Sequence, residues 1–130
     1  MERYLVDTTV LIDLSRGIAG IRGRLDGLID SGADLGVCAI IVAEFVSGVP
    51  SSQMFRWDQL LSEFHYWDVS HEAAVLAGAY RQALARQGKT LQLPDAIVAA
   101  VATTLGATIL TDNVKDFLLI AGVRVRTPRS

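Results

Sequence analysis

Asp7, Glu44 and Asp95, together with the acids of Thr111-Asp112-Asn113-Val114-Lys115-Asp116-Phe117, stand where the neighbouring residues point to burial or to the end of a strand. Asp7 directly follows the apolar run Tyr4-Leu5-Val6. In open parallel sheets ligands gather beyond the carboxyl ends of strands, although an acid in that place can equally cap the next helix. Glu44 lies within Ile40-Ile41-Val42-Ala43-Glu44-Phe45-Val46, with large apolar residues on both sides. Burial is therefore expected for it, and a buried carboxylate needs a cation, a metal or a proton. A paired arginine, or a place on the exposed edge of an amphipathic helix, are the structural alternatives. Asp95 opens the segment Leu93-Pro94-Asp95-Ala96-Ile97-Val98. A helix dipole favours an acid in its first turn by roughly 0.3–1 kcal/mol, so capping alone accounts for Asp95. The 111–117 segment, taken alone, is a loop with ordinary Asx-turn chemistry.

Taken together these acids carry a different meaning. Two of the groups end strands and two lie on helices that start near strand ends, so a parallel α/β fold can bring all of them to one rim. Several carboxylates at short range repel one another unless divalent cations neutralise them. An all-oxygen set suits Mg²⁺ or Mn²⁺, with one or two carboxylates, waters and a substrate phosphate completing the shell. Zinc is disfavoured, because His65 and His71 lack ligand spacing and read as surface or packing residues. No Ser-His-Asp arrangement, Walker loop or GxGxxG is present.

The elements that must position these acids follow from periodicity. Strands are expected at Arg3–Val6, Asp34–Ala39, His65–Val69, Ala107–Thr111 and Val123–Val125. Helices are expected from Val10 to about Arg16, from Ile18 to Ser31 with Ile21, Leu25, Leu28 and Ile29 on one face, from Ile40 to Ser47, and from Ser51 through Phe64. Another runs from Ser70 to about Gln87, burying Val75, Leu76, Ala79, Tyr80 and Ala83. The helix Asp95–Leu105 is apolar nearly all round and so must be buried; a short helical turn follows at Val114–Ile120. Strands alternating with such apolar helices imply a three-layer α/β/α sandwich around a mainly parallel sheet of about five strands.

Length and composition agree with that architecture. The chain has 130 residues, 51% of them hydrophobic and 20% charged, which is ample for one domain with a sizeable core, over residues 1–130. The longest uncharged run, Ala96 to Thr111, is 16 residues, short of the roughly 20 a spanning helix requires. The N-terminus carries Glu2 and Asp7 around a short apolar stretch, unlike a secretory signal. A lone cysteine, Cys38, forms no internal disulfide. A cytoplasmic location is expected.

At this level the sequence resembles the PIN-domain nucleases, in particular the VapC-like toxins of prokaryotic toxin–antitoxin pairs. Four blocks in order carry the resemblance: Leu5-Val6-Asp7-Thr8-Thr9-Val10-Leu11-Ile12, Ala43-Glu44-Phe45-Val46-Ser47-Gly48, Pro94-Asp95-Ala96-Ile97-Val98-Ala99-Ala100, and Leu110-Thr111-Asp112-Asn113-Val114-Lys115-Asp116-Phe117. It implies a PIN-like fold and a Mg²⁺-dependent endoribonuclease that inhibits growth or translation, with Asp7, Glu44, Asp95 and Asp116 as catalytic acids. Asp7, Asp95 and Asp116 would hold the metal, with Mn²⁺ as a substitute; Glu44 would act through water. Where relatives carry an acid two residues after the threonine, this chain has Asn113, a neutral oxygen ligand or water holder; Asp112 comes next after Asp116 as the fourth acid. Thr8 and Thr111 would orient the carboxylates. Hydrolysis would leave 5′-phosphate and 3′-hydroxyl ends.

The partners implied are an RNA substrate (tRNA is one candidate), a small cognate antitoxin whose segment lies in an apolar groove near the site, and a second copy in a homodimer. Met54, Phe55, Trp57, Leu60 and Leu61 form a bulky stripe that serves either core packing or such a partner. The competing readings are a PIN nuclease of RNA processing and a receiver-like Mg²⁺-binding signalling module. The second lacks a suitable acid after its middle strand and a well-placed lysine.

The net charge of −2 at first argues against nucleic acid. Setting aside Asp7, Glu44, Asp95 and Asp116 leaves 10 acids against 12 bases. Lys115, Arg124 and Arg126 are the candidate RNA contacts, with Arg129 close by in sequence.

Overall fold

The computed structural model describes residues 2–129. Five strands, β1 (Arg3–Val6), β2 (Asp34–Cys38), β3 (His65–Trp67), β4 (Thr108–Leu110) and β5 (Val125–Arg126), form one sheet in the order β3-β2-β1-β4-β5, with every pairing parallel. The register sets Leu5 opposite Gly36 on one side and Ile109 on the other. The inner strands are covered on both faces: Tyr4, Leu5, Val6, Leu35, Val37, Cys38, Ile109 and Leu110 are all buried. That is why they read as unbroken apolar runs without alternation.

The helices are α1 (Thr8–Ser15), α2 (Ile21–Asp30), α3 (Ala39–Ser47), α4 (Met54–Leu61), α5 (His71–Ala85), α6 (Leu93–Leu105) and α7 (Val114–Leu118). The chain steps outward from β1 to β2 to β3, then returns to place β4 on the opposite flank of β1. The direction of winding therefore reverses between β1 and β4, and the crevice at such a reversal is where parallel sheets bind ligands. Asp7 and Thr111 are the residues that leave these two strands.

α6 is the central helix, as its sequence requires. Ala96, Val98, Ala99, Ala100, Val101 and Ala102 are buried, and the helix touches β1, β4, α3, α5 and α7. It stops at Gly106, whose φ of +65° is the left-handed conformation that favours glycine. Among the described residues no helix is long and apolar enough to cross a bilayer.

α5 departs from expectation. Ala73, Ala77 and Leu84 are buried, with Leu76 and Tyr80 half-buried, while Ala79 and Ala83 are exposed and Val75 is 60% exposed. The buried face is the stripe 73, 77, 80, 84, one helical turn apart at each step. Small alanines there let α5 lie close on α6, and the Tyr80 hydroxyl pairs with Thr103 Oγ1 at 2.9 Å. Side-chain size points to Val75; helical phase excludes it. Ser70 Oγ caps the helix, accepting from the Ala73 amide at 3.0 Å.

Other differences lie at boundaries. α1 begins at Thr8 because Asp7 takes the capping position. Gly20, at φ +87°, delays α2 to Ile21, and Ile29 on its far side is 48% exposed. The expected helix from Ser51 is a 3₁₀ turn (Ser51–Gln53) followed by α4. Of the bulky stripe there, Trp57 enters the core edge-on to Phe45 at 5.1 Å, whereas Phe55 is 77% exposed. At the sheet margin the Trp67 ring lies on Gly36, where a Cβ would come within 2.4 Å of it.

Candidate active site

The switch point between β1 and β4 is closed by two hydrogen bonds. The Asp7 amide donates to the Leu110 carbonyl at 3.0 Å, and the Thr111 hydroxyl donates to Asp7 Oδ2 at 2.8 Å. Both side chains are buried, Asp7 at 5% exposure and Thr111 at 0%. Although Asp7 occupies the N-cap of α1, its side chain makes no capping bond. The carboxylate is turned across the crevice instead. Burial raises its pKa; the Thr111 hydroxyl and then the Thr8 amide dipole pull it down, and Asp112 raises it again.

Asp95, in the first turn of α6, has its pKa raised to about 6. Burial is the largest cause, followed by the charges of Asp7, Asp116 and Glu44. Three carboxylates from α3, α7 and the end of β1 thus act on the one from α6. Cys38, at the end of β2, sits among them: burial raises its thiol pKa most, with Asp7 and Glu44 adding smaller upward pushes against two lowering backbone contacts.

Glu44 differs from expectation in one respect. It is exposed rather than buried, because α3 turns Ile41 and Phe45 into the core and leaves residue 44 on the solvent side. Thr8 Oγ1 donates to Glu44 Oε1 at 3.2 Å, which orients it towards the strand ends. The apolar sequence around Glu44 reflects a helix packed on two sides, not a buried acid.

The β4–α7 loop is held by a threonine the sequence did not single out. Thr9 Oγ1 accepts from the Asp112 amide at 3.2 Å and lies 3.4 Å from Thr111 Oγ1, which itself accepts from the Asn113 amide at 3.0 Å. Asn113 caps α7, and Asp116 stands in its first turn. Asp112 turns elsewhere. Its carboxylate receives Arg129 Nε at 3.1 Å and Nη2 at 3.4 Å, and the same guanidinium bonds Asp13 of α1. No pattern in the sequence announces these contacts, which join residues far apart in the chain.

A divalent cation fits this set. Asp7, Glu44, Asp95 and Asp116 supply only oxygen, and none has an ion-pair partner among the described residues, whereas Asp13, Asp34, Glu63 and Asp112 all do. A buried Asp7 and a crowded Asp95 without a protein cation are what an external cation would relieve. No three His, Cys, Asp or Glu among the described residues stand close enough to form a ready-made cage. A cation bound here would therefore complete its shell with waters.

The basic candidates divide. Lys115 is exposed on α7 beside Asp116. Arg124 reaches the Gly106 carbonyl at the opposite end of β4, and Arg126 lies over the Tyr4 ring and donates to its hydroxyl at 2.9 Å; the fold does not bring either to the carboxylates. His65 approaches Asp34 at 3.4 Å and stacks on Trp67, and His71 starts α5 on the surface.

A PIN domain family model matches residues 4–122. The chain belongs to the PIN-domain family. Among characterised relatives, ribonuclease VapC19 of Mycobacterium tuberculosis is 26% identical over 113 residues, covering 87% of this chain and 90% of the relative. The tRNA(fMet)-specific endonuclease VapC of Shigella flexneri is also 26% identical, over 95% of this chain and 96% of its own. Among solved structures, a toxin–antitoxin complex from Klebsiella pneumoniae has a chain 30% identical to this one, with a TM-score of 0.77 and 98% coverage of both. The DNA-bound VapBC of Salmonella typhimurium shares the fold at a TM-score of 0.86 and 22% identity, covering 98% of this chain and 99% of its own. The PIN match spans the blocks around Asp7, Glu44, Asp95 and Thr111–Phe117, and nothing in it favours a receiver-like module.

Proposed function

We propose that this chain, one PIN-like domain over residues 1–130, is a divalent-metal-dependent endoribonuclease and the toxin of a toxin–antitoxin pair. The observation that carries the reading is the buried Asp7 carboxylate, held by Thr111 at the switch point without a protein cation, with the charges of Asp7, Asp116 and Glu44 all acting on Asp95. A carboxylate cluster at a sheet's switch point has a use when a cation binds there and a phosphodiester approaches it. The ribonuclease and endonuclease relatives support the reaction class.

In this reading Asp7, Asp95 and Asp116 would hold Mg²⁺, some of them through bound water, with Mn²⁺ as a substitute for the same hard-oxygen set. Bound there, the cation supplies Lewis acidity and positive charge for hydrolysis of the phosphodiester. Thr111 keeps Asp7 in one orientation. Glu44, steadied by Thr8, is free on its exposed side to orient the attacking water and accept its proton. Asn113 offers a neutral oxygen beside Asp116, and Lys115 a cation for the RNA backbone. The products carry 5′-phosphate and 3′-hydroxyl ends.

The partners we propose are an RNA substrate in the cytoplasm, a small antitoxin and a second copy of this chain. The complexes of similar chains with antitoxins support the antitoxin, and the tRNA(fMet) specificity in the name of one relative makes tRNA the first substrate to try. The deciding experiment is sequencing of cellular RNA ends after brief expression, comparing the chain with its Asp7→Asn variant. Discrete new 5′-phosphate ends in the first and none in the second are expected. The same ends in both, or none in either, would overturn the reading.

A further inference from the structure

Beside Glu44 a cleft of about 420 Å³ opens between α1, α3 and α4. Its volume lies within the ~300–1,000 Å³ of ligand pockets. Two features of its lining are unusual for this molecule. Most arginines are occupied internally: Arg22 on Glu63, Arg81 on the Leu91 carbonyl, Arg126 on Tyr4, Arg129 on Asp13 and Asp112. Arg16, at the end of α1, and Arg56, on α4, both line the cleft and have no hydrogen bond or ion pair from their guanidinium groups to any described residue. Arg56 is instead stacked over Trp57, 5.8 Å from the ring centroid. Trp57 also lines the cleft, and its Nε1 is the buried side-chain donor without an acceptor among the described residues. A buried N–H left unpaired costs free energy, of order 1–3 kcal/mol. The N–H is closed to solvent, so a ligand atom could accept from it only after a small shift of the α4 wall, and would then remove that cost.

A fitting ligand must offer an anion to two unpaired guanidiniums, an acceptor to an indole N–H, and a flat apolar face to Ile12, Val49 and Pro50. A nucleotide combines all three. Glu44 is the one acid in the lining, and two guanidiniums outweigh it, so a phosphate can bind here even with no cation at the neighbouring carboxylates. We propose that the cleft is the subsite for one nucleotide of the RNA strand adjoining the cleaved phosphodiester. Arg16 and Arg56 hold its phosphate, and its base lies against the apolar wall with an edge towards Trp57. Single-stranded RNA is read in this way, by bases splayed onto aromatic or guanidinium planes with hydrogen bonds to their edges. The subsite would thus bias which base flanks the cut. This inference rests on the ribonuclease reading above but is testable apart from it.

The test uses the full chain in EDTA, so that binding is scored without catalysis. The four nucleoside 5′-monophosphates and inorganic phosphate are titrated while the two indole N–H signals are followed by NMR, with Trp57→Phe used only to assign them. The expected result is a Trp57 shift that saturates with nucleotides, differs among bases and is weaker with phosphate alone. Arg16→Ala and Arg56→Ala should each weaken it about tenfold; Arg86→Ala, on the C-terminal end of α5, should not. A Trp57 signal unmoved by every nucleotide overturns the proposal, as does equal weakening by Arg86→Ala. So does a cleft that ignores nucleotides but is covered by a bound polypeptide. An RNA-cleaving protein with a silent cleft would retain the ribonuclease reading and lose the subsite; nucleotide binding without metal-dependent cleavage would do the reverse.

Discussion

The Thr111 hydroxyl donates to Asp7 Oδ2 at 2.8 Å across the gap between β4 and β1, and both residues are inaccessible to solvent or nearly so. A hydroxyl rotor in that place holds a carboxylate in one orientation before any cation arrives. Thr111→Val keeps the shape and removes the donor. Leaving a buried carboxylate short of one partner costs about 1–3 kcal/mol, and loss of the largest lowering influence on Asp7 moves its pKa further up. The expected outcome is a lower melting temperature in metal-free buffer and at least a tenfold fall in RNA cleavage at neutral pH. Thr111→Ser should restore most of both. Cleavage by Thr111→Val at the parental rate would remove Thr111 from the site.

Substitution of the acids themselves should separate fold from function. Asp7→Asn and Asp95→Asn preserve side-chain volume and remove one negative charge from a crowded rim. Each is expected to abolish cleavage in Mg²⁺ while leaving a cooperative unfolding transition. Circular dichroism alongside a cleavage assay checks this, and full activity of either purified variant would falsify the assignment.

The raised pKa of Asp95 gives a pH dependence whose sign is definite. An acid whose folded pKa lies above its unfolded value of about 3.9 stabilises the fold fully below that value, and this contribution is lost as pH rises through the folded pKa. For Asp95 the window runs from about 4 up to about 6. The metal-free protein should therefore melt at a lower temperature at pH 7 than at pH 5, as far as this group decides. Asp95→Asn should flatten that part of the profile and raise stability at pH 7 by on the order of 1 kcal/mol, after discounting for solvent screening, read as a higher melting temperature. Saturating Mg²⁺ should reverse the slope, because the cation binds the deprotonated form. Melting curves at several pH values, in EDTA and in Mg²⁺, test all three statements.

How much of this was legible in the sequence depended on the range of the interaction. β1, β2, β4 and the middle of α6 are mostly buried, so their apolar runs alone located Asp7 and Asp95 at element ends. Asp7 and Thr111 could be paired once a parallel sheet was inferred, since both leave strands. Glu44 was found for a reason that proved different: its neighbours are apolar because α3 packs on two sides, and the acid itself faces water. On α5 residue size outweighed phase, and Val75 was placed in a core that Ala73 and Ala77 occupy. Thr9, Asp13 and Arg129 left no trace, because a hydrogen bond between residues 17 or 116 positions apart has no period and no local composition. The free state of Arg16 and Arg56 was equally invisible; it is known only once the partners of the other arginines are seen.

Close approach of backbone and ring at the sheet margin predicts a purely structural defect. A Cβ on Gly36 would stand 2.4–2.7 Å from three atoms of the Trp67 ring, so Gly36→Ala must displace either the ring or β3. Overpacking of this kind costs typically ~1–3 kcal/mol, read as a drop in denaturant midpoint. Because β3 lies two strands from β1, cleavage measured well below the melting temperature should be almost unchanged.

Arg129 sits on the opposite balance, with little structural and much local consequence. It ties Asp112, in the loop that leads through Asn113 to Asp116 on α7, to Asp13 of α1. Arg129→Ala frees Asp112, which already raises the pKa of Asp7, and loosens the loop that presents Asp116. An exposed ion pair contributes little to global stability, so the melting temperature should scarcely move. The Mg²⁺ concentration for half-maximal cleavage should rise several-fold, and the cleavage profile should shift to higher pH. Arg129→Lys keeps the charge but cannot span both acids with one planar fork, and should recover the effect only in part. An unchanged Mg²⁺ requirement in Arg129→Ala would mean that Thr9 and Thr111 hold the loop without help from the C-terminal arginine.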